Sequence, residues 1–156
     1  MEDTPATGDT HLHRYEVHKR VANRLRREAG VMDVLAEPSP MRPVRLTAIL
    51  ERAGFFDGSL AGEATLEFEW RPRPQRDLFR IQYSEPGKPW SCGWHQDDTH
   101  DRLGPSHFQV DHEQWETSHR ESPSFTDSNP MAILETCLTE LRDRVPSLPD
   151  SVRTDS

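Results

Sequence analysis

The sequence predicts an α+β domain, an antiparallel sheet of about five or six strands flanked by an N-terminal and a C-terminal helix. Three observations carry this. Alternation with period two places Leu66, Phe68 and Trp70, then Phe79, Ile81 and Tyr83, then Trp90, Cys92 and Trp94 on one side of three successive strands. The connections between them, Pro72 to Asp77 and Glu85 to Pro89, are short and rich in Pro and Gly, as the hairpins of a meander require. Helical spacing, in contrast, is found towards the two ends.

Met1 to Thr10 is polar and acidic and reads as a disordered end. From His11 to Ala29, Val17, Val21 and Leu25 recur at i, i+4 and i+8 with Ala22 and Ala29 beside them, and Gly30 follows as a helix C-cap. Val31 to Glu37 is short and apolar. The prolines between Pro38 and Pro43 then exclude helix and demand a turn or extended linker. Val44 to Leu50 reads as a strand with Val44, Leu46, Ala48 and Leu50 on one face, a short helix being the competing reading. Asp57-Gly58-Ser59 and Ala61-Gly62 supply turns ahead of the three central strands. A further strand, His107 to Asp111, follows the Gly104-Pro105 turn. Gln114 to Ser128 is polar and reads as irregular. Asn129 is an N-cap with Pro130 at the first helical position, and Ile133 or Leu134, Cys137, Leu138, Leu141 and Val145 form a stripe that ends before Pro146. The domain is thus expected over residues 11–145, with a disordered tail over 146–156.

Composition bounds the function. The chain has 156 residues, about the size of one domain, and its apolar fraction of 33% is low, but four Trp, six Phe and two Tyr concentrate hydrophobic area in few side chains. No apolar run approaches the roughly 20 residues of a membrane span, and the N-terminus is unlike a targeting peptide, so a cytoplasmic protein without membrane partners is expected. The net charge of −8 argues against non-specific capture of nucleic acid by the whole molecule. Of the 19 cationic residues only Lys19 and Lys88 are Lys. Arg with abundant carboxylate is the usage of salt-loving archaea and equally of any GC-rich genome. Cys92 and Cys137 lie far apart with no C-x-x-C pair and fall on inward faces, as buried thiols would.

Chemistry concentrates between Trp94 and His112. Five of the eight His (His95, His100, His107, His112 and His119) fall between His95 and His119, interleaved with Asp97, Asp98 and Asp101. If Trp90, Cys92 and Trp94 point into the core, His95 points the other way; if Phe108 and Val110 point inward, His107 and Gln109 also point away, and a hairpin joining these strands sets His95 and His107 on one face. His95, His107 and Asp97 are therefore the candidate acid/base groups, since imidazole titrates near neutral pH. His95, His100, His107 and Asp98 are the candidate ligands of a divalent transition metal such as Zn²⁺, Mn²⁺, Fe²⁺ or Ni²⁺. A polar loop whose His and Asp side chains cap turns is the third reading, because the spacing matches no metalloprotease, zinc-finger or deaminase signature. No phosphate-binding glycine loop, nucleophile elbow or dinucleotide fingerprint is present. The first helix is a basic island: Arg20, Arg24 and Arg27 share a face opposite Val17 and Val21, suited to RNA phosphates, an acidic partner or the protein's own carboxylates.

The run of Leu66 to Arg71, Phe79 to Tyr83, and Gly93-Trp94-His95 through His107 resembles two groups. One is a family of uncharacterised haloarchaeal small proteins with a W-x-C strand, here Trp90-Ser91-Cys92, leading into a His/Asp-rich loop. The more distant one is the TumE-type toxins encoded beside a helix-turn-helix antitoxin. Gly93, Trp94, His95, Asp97 and His107 stand where the TumE family has its glycine, aromatic, polar pair and histidine, over about half of the chain. This sequence lacks that family's D-N pair and H-x-H pattern. The resemblance implies a toxin–antitoxin context, RNA or translation as target, and a cognate antitoxin or regulator as partner. A non-enzymatic accessory protein that binds a partner, with or without metal, is the alternative.

Overall fold

The alternation that marks the central strands repeats through the sheet and closes one side of it. In a computed structural model, which describes residues 7–58, 60–73, 77–96, 106–122, 125 and 129–152, the chain forms α1 (Thr7–Arg26), β1 (Val31–Glu37), β2 (Arg45–Glu51), a four-residue α2 (Arg52–Phe55), β3 (Glu63–Arg71), β4 (Leu78–Ser84), β5 (Trp90–Gln96), β6 (Ser106–His112), β7 (His119–Glu121) and α3 (Pro130–Arg144). Every strand pairs antiparallel with the next, so the sheet order is β1 to β7 without a crossover. The α+β class and the helices at both ends are as expected, but the sheet has seven strands rather than five or six. The unexpected strand is β7, three polar residues within the stretch that reads as irregular. Main-chain pairing of His119 with Val110 makes it, so no apolar alternation announces it.

All three central inward sets are buried, as are Leu46, Ala48 and Leu50 of β2 and Phe108 and Val110 of β6. Val44 is exposed and precedes β2. Against this face lie Val17, Val21, Ala22 and Leu25 of α1 and Ile133, Leu134, Cys137, Leu138 and Leu141 of α3. Aromatic rings run through the layer: Trp70 stacks between Phe68 and Phe79, with centroids 6.0 and 5.1 Å away. Cys92 and Cys137 are buried free thiols, both with pKa values pushed up by burial. The side-chain oxygen of Asn129 accepts from the Met131 N–H at 2.8 Å, a cap worth about 1 kcal/mol.

The first helix ends at Arg26 rather than Ala29, and Gly30, at φ +88°, turns the chain into β1 where it passes so close to Phe55 that a side chain could not fit. Secondary structure begins before the expected N-terminal boundary, and packing continues past the C-terminal one. Helix α1 begins at Thr7, and past α3 a 3-10 turn over Val145–Ser147 brings Leu148 into the core and Val152 against it. Pro146 ends the helix without ending the fold. Among the described residues no helix is long and apolar enough to cross a membrane.

Candidate functional site

Because the helices cover one side, residues out of phase with the core meet on the other. Strand register sorts them into three rows: Glu69, Arg80, His95 and His107; Glu67, Gln82, Gly93, Gln109 and Arg120; Thr65, Ser84, Ser91 and Asp111. The outer face is polar from β3 to β7.

His95 and His107 are direct cross-strand partners with ring centroids 5.4 Å apart, edge to face. The expectation that a hairpin sets them on one face is met. Their environments differ: His95 is half-buried, and His107 is 0% exposed. Two glutamines hold them. Gln109 donates from Nε2 to Asp111 Oδ1 at 2.8 Å, which fixes its amide, and its Oε1 accepts from Arg120 Nε and from His107 Nε2, each at 3.1 Å. That assigns the proton to His107 Nε2. Gln82 donates to Ser91 Oγ at 2.8 Å and accepts from His95 Nε2 at 3.0 Å. Its side chain lies across Gly93, where any Cβ would strike both the Ile81 carbonyl and the Gln82 amide. Glycine at 93 is thus what lets Gln82 reach His95. Both Nε2 atoms thus donate to amide oxygens, which fixes the orientation of the two rings.

Asp97, Asp98 and His100 lie outside the described residues, and among the described residues no group of three or more His, Cys, Asp or Glu side chains converges as a metal site. Of the proposed ligands within the described residues, His95 and His107 lie together, with Nε2 engaged on both. Arg24 makes a bidentate contact with Glu135 of α3 and reaches Glu28 Oε1 at 2.6 Å. Arg142 joins the other oxygen of Glu28 and lies 4.3 Å over the Phe55 ring. Burial alone would raise the Glu28 pKa, but the hydrogen bonds from Arg24 and Arg142 hold it below the usual carboxylate value. Arg24 is therefore part of the α1–α3 tie. Arg20 is exposed, and Arg27 donates to the Asn23 carbonyl at 3.3 Å. All three stand on the helical side of the sheet, opposite the histidine pair.

Beside His95 the outer face opens into a cleft of about 320 Å³ lined by Glu69, Arg71, Leu78, Phe79, Arg80, His95 and Gln96. Arg71 lies 3.6 Å from Glu69, and Arg80 lies 3.3 Å from Glu67. Sequence reasoning missed these neighbours although the signal was available: if Phe79 and Ile81 face the core, Arg80 and Gln82 share the side of His95. On the far flank, Arg144 of α3 grips Glu121 through two hydrogen bonds of 3.1 and 2.8 Å and stacks 4.1 Å over Phe108. This tie, with the His119–Glu121 contact at 2.7 Å, anchors the short β7 and lowers the Glu121 pKa.

No protein-family model, curated protein or solved structure matches this chain, so any functional reading stands on its residues.

Proposed function

We propose that the protein is a TumE-like toxin–antitoxin component acting on RNA or translation, with His95 as the proton-transfer group of the outer-face cleft. The observation that supports this is the side-by-side placement of an imidazole and two guanidinium groups, Arg71 and Arg80, around one cleft. Imidazole moves protons at neutral pH, and guanidinium forks fit phosphate oxygens. His107, being buried, acts through His95: it is a positioning residue, fixed by Gln109. Phosphate binding falls to Arg71 and Arg80, because Arg20, Arg24 and Arg27 face away behind the sheet; Arg20 and Arg27 are left as a surface for a partner protein.

Induced expression in a heterologous host tests the reading. Wild-type protein should arrest growth, and His95→Ala should relieve the arrest at equal protein level. Undiminished toxicity of the variant would remove His95 from the mechanism. A second reading, a non-enzymatic protein that binds a regulator, is favoured by one observation: the large apolar side chains exposed among the described residues, Met32, Leu35, Met41 and Val44, gather on β1 and the loop after it, at an open sheet edge. On that reading the same strain shows no arrest, and the protein is recovered with one stoichiometric partner.

A further inference from the structure

We infer that Glu69 and His95 are a general base and a general acid flanking a phosphodiester held by Arg71 and Arg80, so that the cleft cleaves RNA beside a 2′-hydroxyl without needing a metal. The inference rests on the reading of the His95 cleft just given; it names the substrate class and adds a second reacting group.

Glu69, Arg80 and His95 are cross-strand neighbours in one row. Strands lie about 4.8 Å apart, so the backbone positions of Glu69 and His95 are about 10 Å apart with Arg80 on the strand between them. Such a span suits a phosphodiester, whose attacking and departing oxygens lie on opposite sides of phosphorus. The side chain of Glu69 is only 14% exposed, whereas those of Arg71 and Arg80 are 51% and 44% exposed. The carboxylate is held in place while the cations are offered to solvent. Leu78, the cross-strand partner of Arg71, adds an apolar wall against which a base or sugar can rest. Gln82 keeps the His95 ring oriented through Nε2.

The step balances within these groups. Glu69 takes the proton of the 2′-hydroxyl, O2′ bonds to phosphorus, the bond from phosphorus to O5′ breaks, and the imidazolium of His95 gives its proton to O5′. The products are a 2′,3′-cyclic phosphate and a 5′-hydroxyl. Arg71 and Arg80 balance the charge that builds on the non-bridging oxygens. No oxidant, reductant or further reactant enters.

The test incubates wild-type protein and the Glu69→Gln, Glu69→Asp and His95→Ala variants with a single-stranded oligoribonucleotide and its all-deoxy counterpart in EDTA. Ends are identified by mass spectrometry and the fold of each variant by thermal melting. Wild type should cut only the RNA, leaving cyclic phosphate ends. Glu69→Gln and His95→Ala should each slow it about 100-fold or more, with Glu69→Asp retaining more activity than Glu69→Gln. An uncut RNA, 5′-phosphate ends, abolition by EDTA, or full activity in a folded Glu69→Gln variant would overturn the inference. Growth arrest lost in His95→Ala yet kept in Glu69→Gln would overturn it while leaving His95 in its proposed role; arrest kept in both would overturn both readings.

Discussion

The two faces of this sheet are built from the same strands by the same alternation, yet they are held by different forces. The inner face is a continuous apolar layer in which Leu66, Phe68, Ile81, Tyr83, Cys92, Trp94 and Val110 lose all contact with water, beneath helices α1 and α3. The outer face is held by hydrogen bonds that run sideways from strand to strand: Ser91 to Gln82 to His95, and Asp111 to Gln109 to His107. Apolar packing is non-directional and tolerates shape changes of similar volume, whereas a hydrogen-bond network fixes individual atoms and loses most when one member goes. A sheet armed on one face only can therefore keep its stability in one place and its chemistry in another.

Truncating the inner face should break that division most severely. Phe68→Ala removes a fully buried ring that touches both Trp70 and His18, and a loss of about 3–5 kcal/mol is expected in chemical denaturation. A loss below about 1 kcal/mol would mean that the inner face is not the stabilising one. On the outer face, Gln109→Ala strips the carbonyl from the buried His107 N–H and should cost about 1–3 kcal/mol. Gln82→Ala, next to the half-buried His95, should cost less. If the two glutamine variants are equally stable, the burial of His107 does not distinguish the two halves of the network.

The inner face was legible in the sequence and the outer one only in part. Large residues two apart, Trp90, Cys92 and Trp94 among them, mark a buried strand face, and the same alternation puts His95 and His107 together on the other. Glu69, Arg80 and Gln82 bear no such mark, because a polar residue on a strand is equally at home in water; Gln109 shares the side of His107 by alternation, but only the register across four strands shows which ones meet. The outlying β7 was illegible for a related reason: three polar residues gain their structure from pairing with Val110 and from the grip of Arg144 on Glu121, neither of which leaves a local pattern. Arg24 shows the reverse error of isolation: a helix stripe read by itself looks like a phosphate site, until Glu135, 111 residues away, takes the guanidinium.

Among the buried polar groups, His18 supplies the mildest way to test the division. His18 lies in phase with Ala22 and Leu25 on α1 and is 1% exposed, its Nδ1 donating to the Arg14 carbonyl at 2.8 Å and its ring edge-on to Phe68 at 5.5 Å. Burial lowers its pKa, aided by the positive charge of Arg14; Glu69 and the backbone carbonyls nearby oppose the shift without reversing it. The folded protein therefore holds fewer protons at this site than the unfolded chain does. Stability is unaffected above the unfolded value of about 6.5 and falls as pH drops below it, by at most about 1.4 kcal/mol per pH unit, until the lowered native pKa is passed. The depressed carboxylates Glu28 and Glu121 act in a separate window, since their contribution is lost only as pH falls below about 4.3. Denaturant unfolding at pH 7 and pH 5 should accordingly show a loss in the wild type that shrinks in His18→Gln, which cannot titrate. An identical loss in the variant would place the proton uptake on other groups, and would mean that the core tolerates a charge beneath α1 that its apolar lining should forbid.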